Sequence, residues 1–360
     1  MTKARELADL IANVNHGSSL GNKNFIQNGA MNVSQRATSS TGIGASSGYF
    51  TLDRWNIYAL NTAGRLTMTQ DSSGPSGFAN SLKVACTTAD TSIAAGENLL
   101  LQQRIEGQNL QAFAKGTSDA KPFAVSFYVK GNASATYICE LHDQDNGRQI
   151  SKTFNVTTAW TRIELTFPAD TTGAFDDDNA RSLNLNIALH AGSTYTSGTL
   201  STTWTSSSNA DRYVGGSSFF DSTSRTFFIT GVQLEIGEKA TVFEHEPYET
   251  TFNRCLRYFN RITGYNTREF AGYNENTTKG LHVFRFAVKM RGNPTIGVSG
   301  TVSNYIIAYS NTQIACNATL GFNTTHPEGV TFYSSVASGL TAGGASCLRN
   351  IDYIDLKAEL

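Results

Sequence analysis

Over most of this chain hydrophobic residues alternate with polar ones, at the two-residue period of half-buried strands. "TRIELTFP" (Thr161–Pro168) sets Ile163, Leu165 and Phe167 on one face. "SLNLNIALHAG" (Ser182–Gly192) sets Leu183, Leu185, Ile187 and Leu189 against Asn184, Asn186 and Ala188. "KPFAVSFYVKG" (Lys121–Gly131), "ATYICELHD" (Ala135–Asp143) and "RTFFITGVQLEIG" (Arg225–Gly237) are further predicted strands. Ser/Gly/Asn loops join them with no convincing helix between, which predicts a β-sandwich. The long Ser/Thr-dominated segment 193–218 suits a Greek-key crossover of jelly-roll type.

The period changes to helical spacing twice. Leu7, Leu10, Ile11 and Val14 follow i, i+3, i+4, i+7 within Lys3–Val14, with Arg5, Glu6 and Asp9 off that face. A helix of about three turns is too short to stand alone in water. Its stripe therefore docks on the rest of the chain, on sister copies or on a larger assembly. Phe252, Cys255, Leu256 and Phe259 repeat the spacing and predict a connector helix packed through those four residues. Beyond it "GLHVFRFAVKM" (Gly280–Met290) returns to alternation. The expected fold is all-β: a jelly-roll β-sandwich, a connector helix and a smaller C-terminal β domain, with a short N-terminal helix. The expected boundaries are 1–21, 22–248, 249–261 and 262–360.

Composition agrees with that pattern. Of 360 residues only 16% are charged, while glycine alone contributes 32, against about 25% charged in ordinary globular proteins. Net charge is −1 and no basic run occurs, which argues against a nucleic-acid partner. Cys86, Cys139, Cys255, Cys316 and Cys347 are widely spaced without a C-x-x-C, so free buried thiols are expected rather than a disulfide or zinc framework. "MTKARELADLIANVNHG" contains neither an export-signal core nor a membrane span. Synthesis and assembly in a cytoplasm, without membrane insertion, is the expectation.

Four segments in order carry a family likeness. "NFIQNGAMNVSQRA" (Asn24–Ala37) with "LDRW" (Leu52–Trp55) resembles the entry segment of bacteriophage virion proteins that contain a carbohydrate-binding-module-like jelly roll. "ITGVQLEIGEKATVFE" (Ile229–Glu244) and "CLRYF" (Cys255–Phe259) are similar to that family's exit segment and connecting helix. The terminal "DLKAEL" also resembles the way such chains end. The resemblance implies a tail fibre, spike or capsid appendage in the virion, commonly a homotrimer, binding host surface glycan. It also implies virion partners for the N-terminal helix. The alternative within the family is a head fibre or capsid decoration protein with a mainly structural role.

No catalytic pattern accompanies it: there is no G-x-S-x-G or H-E-x-x-H, and "FEHEP" lacks a second histidine at the needed spacing. The expectation is a non-enzyme without cofactor. Two acidic loops are candidates for structural calcium, which modules of the resembled kind often carry. "AFDDDNA" brings Asp176, Asp177 and Asp178 together, and "HDQDNG" offers Asp143 and Asp145. Sugar recognition needs aromatic faces beside hydrogen-bonding side chains. Trp55 sits at strand spacing and is expected in the core; Trp160 opens a strand and is expected half-buried. Trp204, with Tyr195 and Tyr213 near it in sequence, is the expected exposed platform. Tyr305, Tyr309 and Tyr333 are candidates in the second domain.

Overall fold

A computed structural model describes Lys3, residues 23–263 and residues 270–360. The helical stripe of Leu7, Leu10, Ile11 and Val14 lies outside the described residues. Two compact units are present, one ending at Thr251 and one running Phe252–Glu359.

The first unit is a jelly-roll sandwich of two six-stranded antiparallel sheets. One sheet runs β1 (Ser39–Ile43), β3 (Arg65–Asp71), β4 (Ser81–Thr88), β12 (Thr226–Ile236), β6 (Phe123–Gly131) and β9 (Thr161–Phe167). The other runs β11 (Thr205–Ser206), β8 (Arg148–Val156), β7 (Ala135–Asp143), β10 (Arg181–Ala191), β5 (Asn98–Glu106) and β2 (Asn56–Leu60). The last long strands, β10 and β12, fill central positions between earlier ones, as Greek-key connections require. Between the sheets pack the alternating residues expected from sequence, among them Leu183, Leu185, Ile187, Leu189, Phe127 and Trp55. Each fully buried Leu or Phe adds roughly 1.5–3 kcal/mol relative to exposure, so this interior defines the unit.

The second unit contains a three-stranded sheet, β13 (Phe259–Thr263), β22 (Tyr353–Lys357) and β16 (Thr295–Ser299). Its seven-stranded sheet runs β18 (Thr312–Ala315), β17 (Ile306–Tyr309), β21 (Ala345–Arg349), β14 (Phe270–Asn274), β15 (Lys279–Arg285), β20 (Gly329–Ser335) and β19 (Ala318–His326). Phe270, Phe332, Leu348 and Leu356 lie in its core.

Helices are short. α1 (Ser193–Thr196) lies inside the long crossover, and α2 (Tyr248–Leu256) is the connector. Pro247 precedes α2, Glu249 lies in its first turn and Arg254 in its last, the charge order that suits the helix dipole. The helix is shorter than its spacing predicts. Phe252 is half-buried, Cys255 and Leu256 are buried, but Phe259 is not helical. Tyr258 N–H bonds Cys255 O at 2.9 Å to end the helix, and Phe259 pairs with Lys357 as the first rung of β13. Ladder pairing overrides the i+7 position there. Among the described residues no helix is long and apolar enough to cross a membrane. The five cysteines are free thiols, all buried except half-buried Cys347.

Candidate functional site

The two outward faces of the first sandwich are finished differently. On the β8–β7–β10–β5–β2 sheet, strand register aligns an apolar row, Tyr58, Leu100, Ala188 and Ile138. One step along lies a polar row, Asn56, Gln102, Asn186, Glu140 and Ser151. Residues 192–218 fold back over both rows as a strap. Tyr195, Tyr213 and Leu200 pack on Leu100, Ile138 and Ala188, and β11 pairs with β8 to hold the strap's middle. Glu140 receives Arg212 Nε and Nη2, each at 2.7 Å, Asn186 Nδ2 at 2.7 Å and Tyr213 Oη at 3.0 Å. Burial by itself would raise the Glu140 pKa, yet the Arg212 charge and these donors hold it below the ordinary carboxylate value.

That closure buries two expected sugar contacts and ties down a third. Tyr195 is 9% exposed and Tyr213 1%; both serve the strap's underside because the apolar row beneath needs cover. Trp204, expected as an open platform, is half-buried. Its indole N–H donates to Pro168 O at 2.8 Å and its ring stands 5.7 Å from Phe123. It also covers the Lys115 ammonium, 5.4 Å from the ring centre. Lys115 is fully buried and bonds Asp143 at 2.5 Å, Asp170 at 3.1 Å, Thr172 O at 2.9 Å and Gly173 O at 2.7 Å.

Lys115 therefore occupies Asp143, one of the acidic-loop candidates. Asp176, Asp177 and Asp178 are exposed. Asp176 N–H donates to Asp145 at 3.1 Å, and Asp178 accepts from Ala180 N–H at 2.8 Å. The loop forms local turns rather than a converging set of oxygens. Among the described residues, the His, Cys, Asp and Glu groups that do converge are Asp90, Glu97 and His190.

Among the described residues, the outer face of the opposite sheet carries no comparable strap. Register places Ser39, Thr69, Lys83, Phe228 and Lys130 side by side across β1, β3, β4, β12 and β6. Trp160, just before β9, continues the row: its ring lies 6.2 Å from Phe228, edge to face. Lys130 Nζ lies 4.9 Å from the Trp160 ring centre and 4.6 Å from that of Phe228. Lys83 Nζ approaches Phe228 from the other side at 5.2 Å. In the next row Tyr128 stands 5.4 Å from Phe78, which contacts Phe243 at 5.1 Å. These five rings are half-buried. The closeness of Phe78 and Tyr128 depends on Gly231 at the β12 bulge. Its φ is +62°, and a Cβ there would stand 2.7 Å from Phe78 and 3.0 Å from Tyr128.

The second unit repeats the contrast within one sheet. His282 and Phe332 face the core, while Tyr273, Leu281 and Tyr333 share a row on the opposite face. Tyr273 is 48% exposed, and Lys279 Nζ lies 4.3 Å from the Tyr333 ring centre. Of the three tyrosine candidates in this domain, Tyr333 remains on the open face. Tyr305 is 2% exposed and donates to Ser299 O at 2.8 Å, so it is a core strut. Tyr309 is half-buried against the second core.

Sequence reasoning placed Trp160 as half-buried but missed Phe228, Tyr128, Phe78, Lys83 and Lys130 as its neighbours. The available signal was a run of aromatic and lysine residues on the polar phase of predicted strands, "FYVKG" and "TFFIT".

No family model and no curated protein sequence matches the chain. Solved structures with a similar arrangement of strands include a family 4 carbohydrate-binding module, at 11% identity and TM-score 0.31, covering 59% of this chain and 99% of that one. A family 11 carbohydrate-binding module from Clostridium thermocellum, in complex with a β-1,3-1,4-mixed-linked tetrasaccharide, matches at 12% identity and TM-score 0.28, covering 57% and 98%. The enzymatically active domain of bacteriophage CBA120 tailspike protein 4 matches at 12% identity and TM-score 0.31, covering 60% of this chain and 22% of that one. Likenesses at these identities and scores say nothing about ligand; the residues above must carry that.

Proposed function

We propose that this chain is a non-enzymatic glycan-binding protein of a phage particle, and that it grips sugar on the open aromatic–lysine face of its first sandwich. The observation that carries the reading is Lys130 lying over both Trp160 and Phe228 on a sheet face that no strap covers among the described residues. Sugar rings stack their C–H faces on such aromatic surfaces while lysine donates to hydroxyl or acidic groups. The residues sit on strands, so the surface is preformed and binding orders little. The second-unit row of Tyr273, Leu281 and Tyr333 beside Lys279 offers a further contact area of the same chemistry.

The virion setting rests on the four-segment resemblance, and the N-terminal apolar stripe of Leu7, Leu10, Ile11 and Val14 is the proposed docking element. A single millimolar site is worth only about −4.1 kcal/mol. Linked copies raise effective affinity greatly, which favours a homotrimeric fibre or spike. Glycan-array binding by the full chain, set against Trp160→Ala, tests the site. Absence of binding in the parent chain overturns the reading and turns attention to a structural decoration role. Release of reducing ends from a bound polysaccharide would overturn the non-enzymatic assignment, and light scattering that finds a monomer would overturn the trimer.

A further inference from the structure

At one end of the first sandwich Asp90, Glu97 and His190 meet in the interior, 5%, 4% and 1% exposed respectively. Their ligand atoms all lie within 4.8 Å of one another. They come from distant parts of the sequence, two from the β4–β5 connection and one from the end of β10. We propose that the three form a structural site for a first-row divalent cation such as zinc.

Two of the three ligands are aimed by contacts from outside the cluster. Asp90 Oδ2 accepts from Thr62 Oγ1 at 3.0 Å, Ala63 N–H at 2.8 Å and Gly64 N–H at 3.3 Å, leaving its other oxygen for the cluster. Glu97 Oε2 lies 3.0 Å from His190 Nε2. His190 Nδ1 lies 2.8 Å from Ser218 Oγ, which in turn accepts from Phe220 N–H at 3.1 Å. An imidazole held through its second nitrogen is the arrangement that fixes tautomer and ring plane in metal sites.

Charge points the same way. Two buried carboxylates in one cluster need a proton or a cation between them; among the described residues no lysine or arginine pairs with either, and the His190 imidazole beside Glu97 can neutralise at most one. Arg65, on the same turn, directs its guanidinium to Thr62 O at 2.8 Å and Gly64 O at 2.7 Å instead. One nitrogen and two carboxylate oxygens suit zinc, with bonds of about 2.0–2.2 Å, better than calcium, which takes six to eight oxygens. Three protein ligands leave the fourth tetrahedral position to a water or to the second oxygen of a carboxylate, and the burial of all three gives the ion a folding role.

The test is elemental analysis of the full chain, loaded separately with zinc and manganese and then gel-filtered. One equivalent per chain is expected in the parent, lost in Glu97→Gln and in His190→Ala and kept in Asp176→Asn. Ser218→Ala, which removes the contact behind the imidazole together with the cap on Phe220 N–H, is expected to weaken affinity by roughly 10–100-fold. Should a ligand variant fail to fold by circular dichroism, the parent alone decides: chelation must lower its melting temperature and zinc must restore it. Absence of bound metal in the parent under both loadings, or equal binding by folded ligand variants, overturns the site and leaves a shared proton in the cation's place.

Discussion

The two outer faces of the first sandwich come from the same strand alternation and end in opposite states. The β7–β10–β5 face presents an apolar row beside a polar one, and residues 192–218 close over it with Arg212 and Tyr213 bonded to Glu140. On the β4–β12–β6 face, lysines interleave with rings and the rings stay half-open. Lysine stems cover apolar surface while keeping their charge in water, so that face satisfies itself without a lid. Availability for a ligand thus depends on what stands between the apolar residues of a sheet face, more than on how many there are.

The largest expected effect would break the sealed face. Arg212→Ala leaves Glu140 buried without its cation and should cost about 3–5 kcal/mol, read by chemical denaturation, with glycan binding by the folded fraction unchanged. Loss of binding in the folded fraction would mean that the strap, and not the open face, holds sugar.

Next comes the sealed side of the second unit, tested by pH. Burial lowers the His282 pKa from 6.5 to about 4, only partly opposed by its contact with Phe270 O. The neutral form is favoured in the fold, so the unfolded chain binds the extra proton first as pH falls. The stabilising contribution is whole above pH 6.5 and is lost progressively down to about pH 4, a change of about 3 kcal/mol. His282→Gln should flatten that part of the stability–pH curve for the second unit.

On the open face Trp160→Ala should reduce glycan affinity by about 2 kcal/mol, the usual scale of an aromatic anchor, as read by calorimetry. Its cost to stability should be smaller than that of Arg212→Ala, since the ring is only half-buried. Smallest is Lys130→Gln, expected to remove about 0.5–1 kcal/mol of binding and to weaken the salt dependence for acidic glycans. An unchanged salt dependence would make the lysine a spacer between rings.

Much of the fold was legible because its rule is local. Leu183, Leu185, Ile187 and Leu189 declare one face of β10 directly, and they line the core. The site was less legible because exposure is decided by chain that arrives from elsewhere. Alternation puts Asn184 and Asn186 opposite the core, yet both are buried, 3% and 0% exposed, under a strap of Ser and Thr that announces no cover. Tyr195, Trp204 and Tyr213 are neighbours along the chain, and sequence order could not tell the underside of a strap from its top. Lys83, Lys130 and Phe228 become neighbours only through register, which no short window contains. Phe259 failed for a related reason: a helical spacing can be completed by a residue that belongs to a ladder.

The Tyr333 ring lies across the backbone of Gly321, where a Cβ would stand 2.0 Å from the ring. Glycine holds that position by the volume its neighbour occupies. In a diversifying lineage the two sites are therefore coupled: a side chain at position 321 requires the Tyr333 ring to move or to be replaced. A sister sequence carrying a larger residue at position 321 should also carry a smaller one at 333.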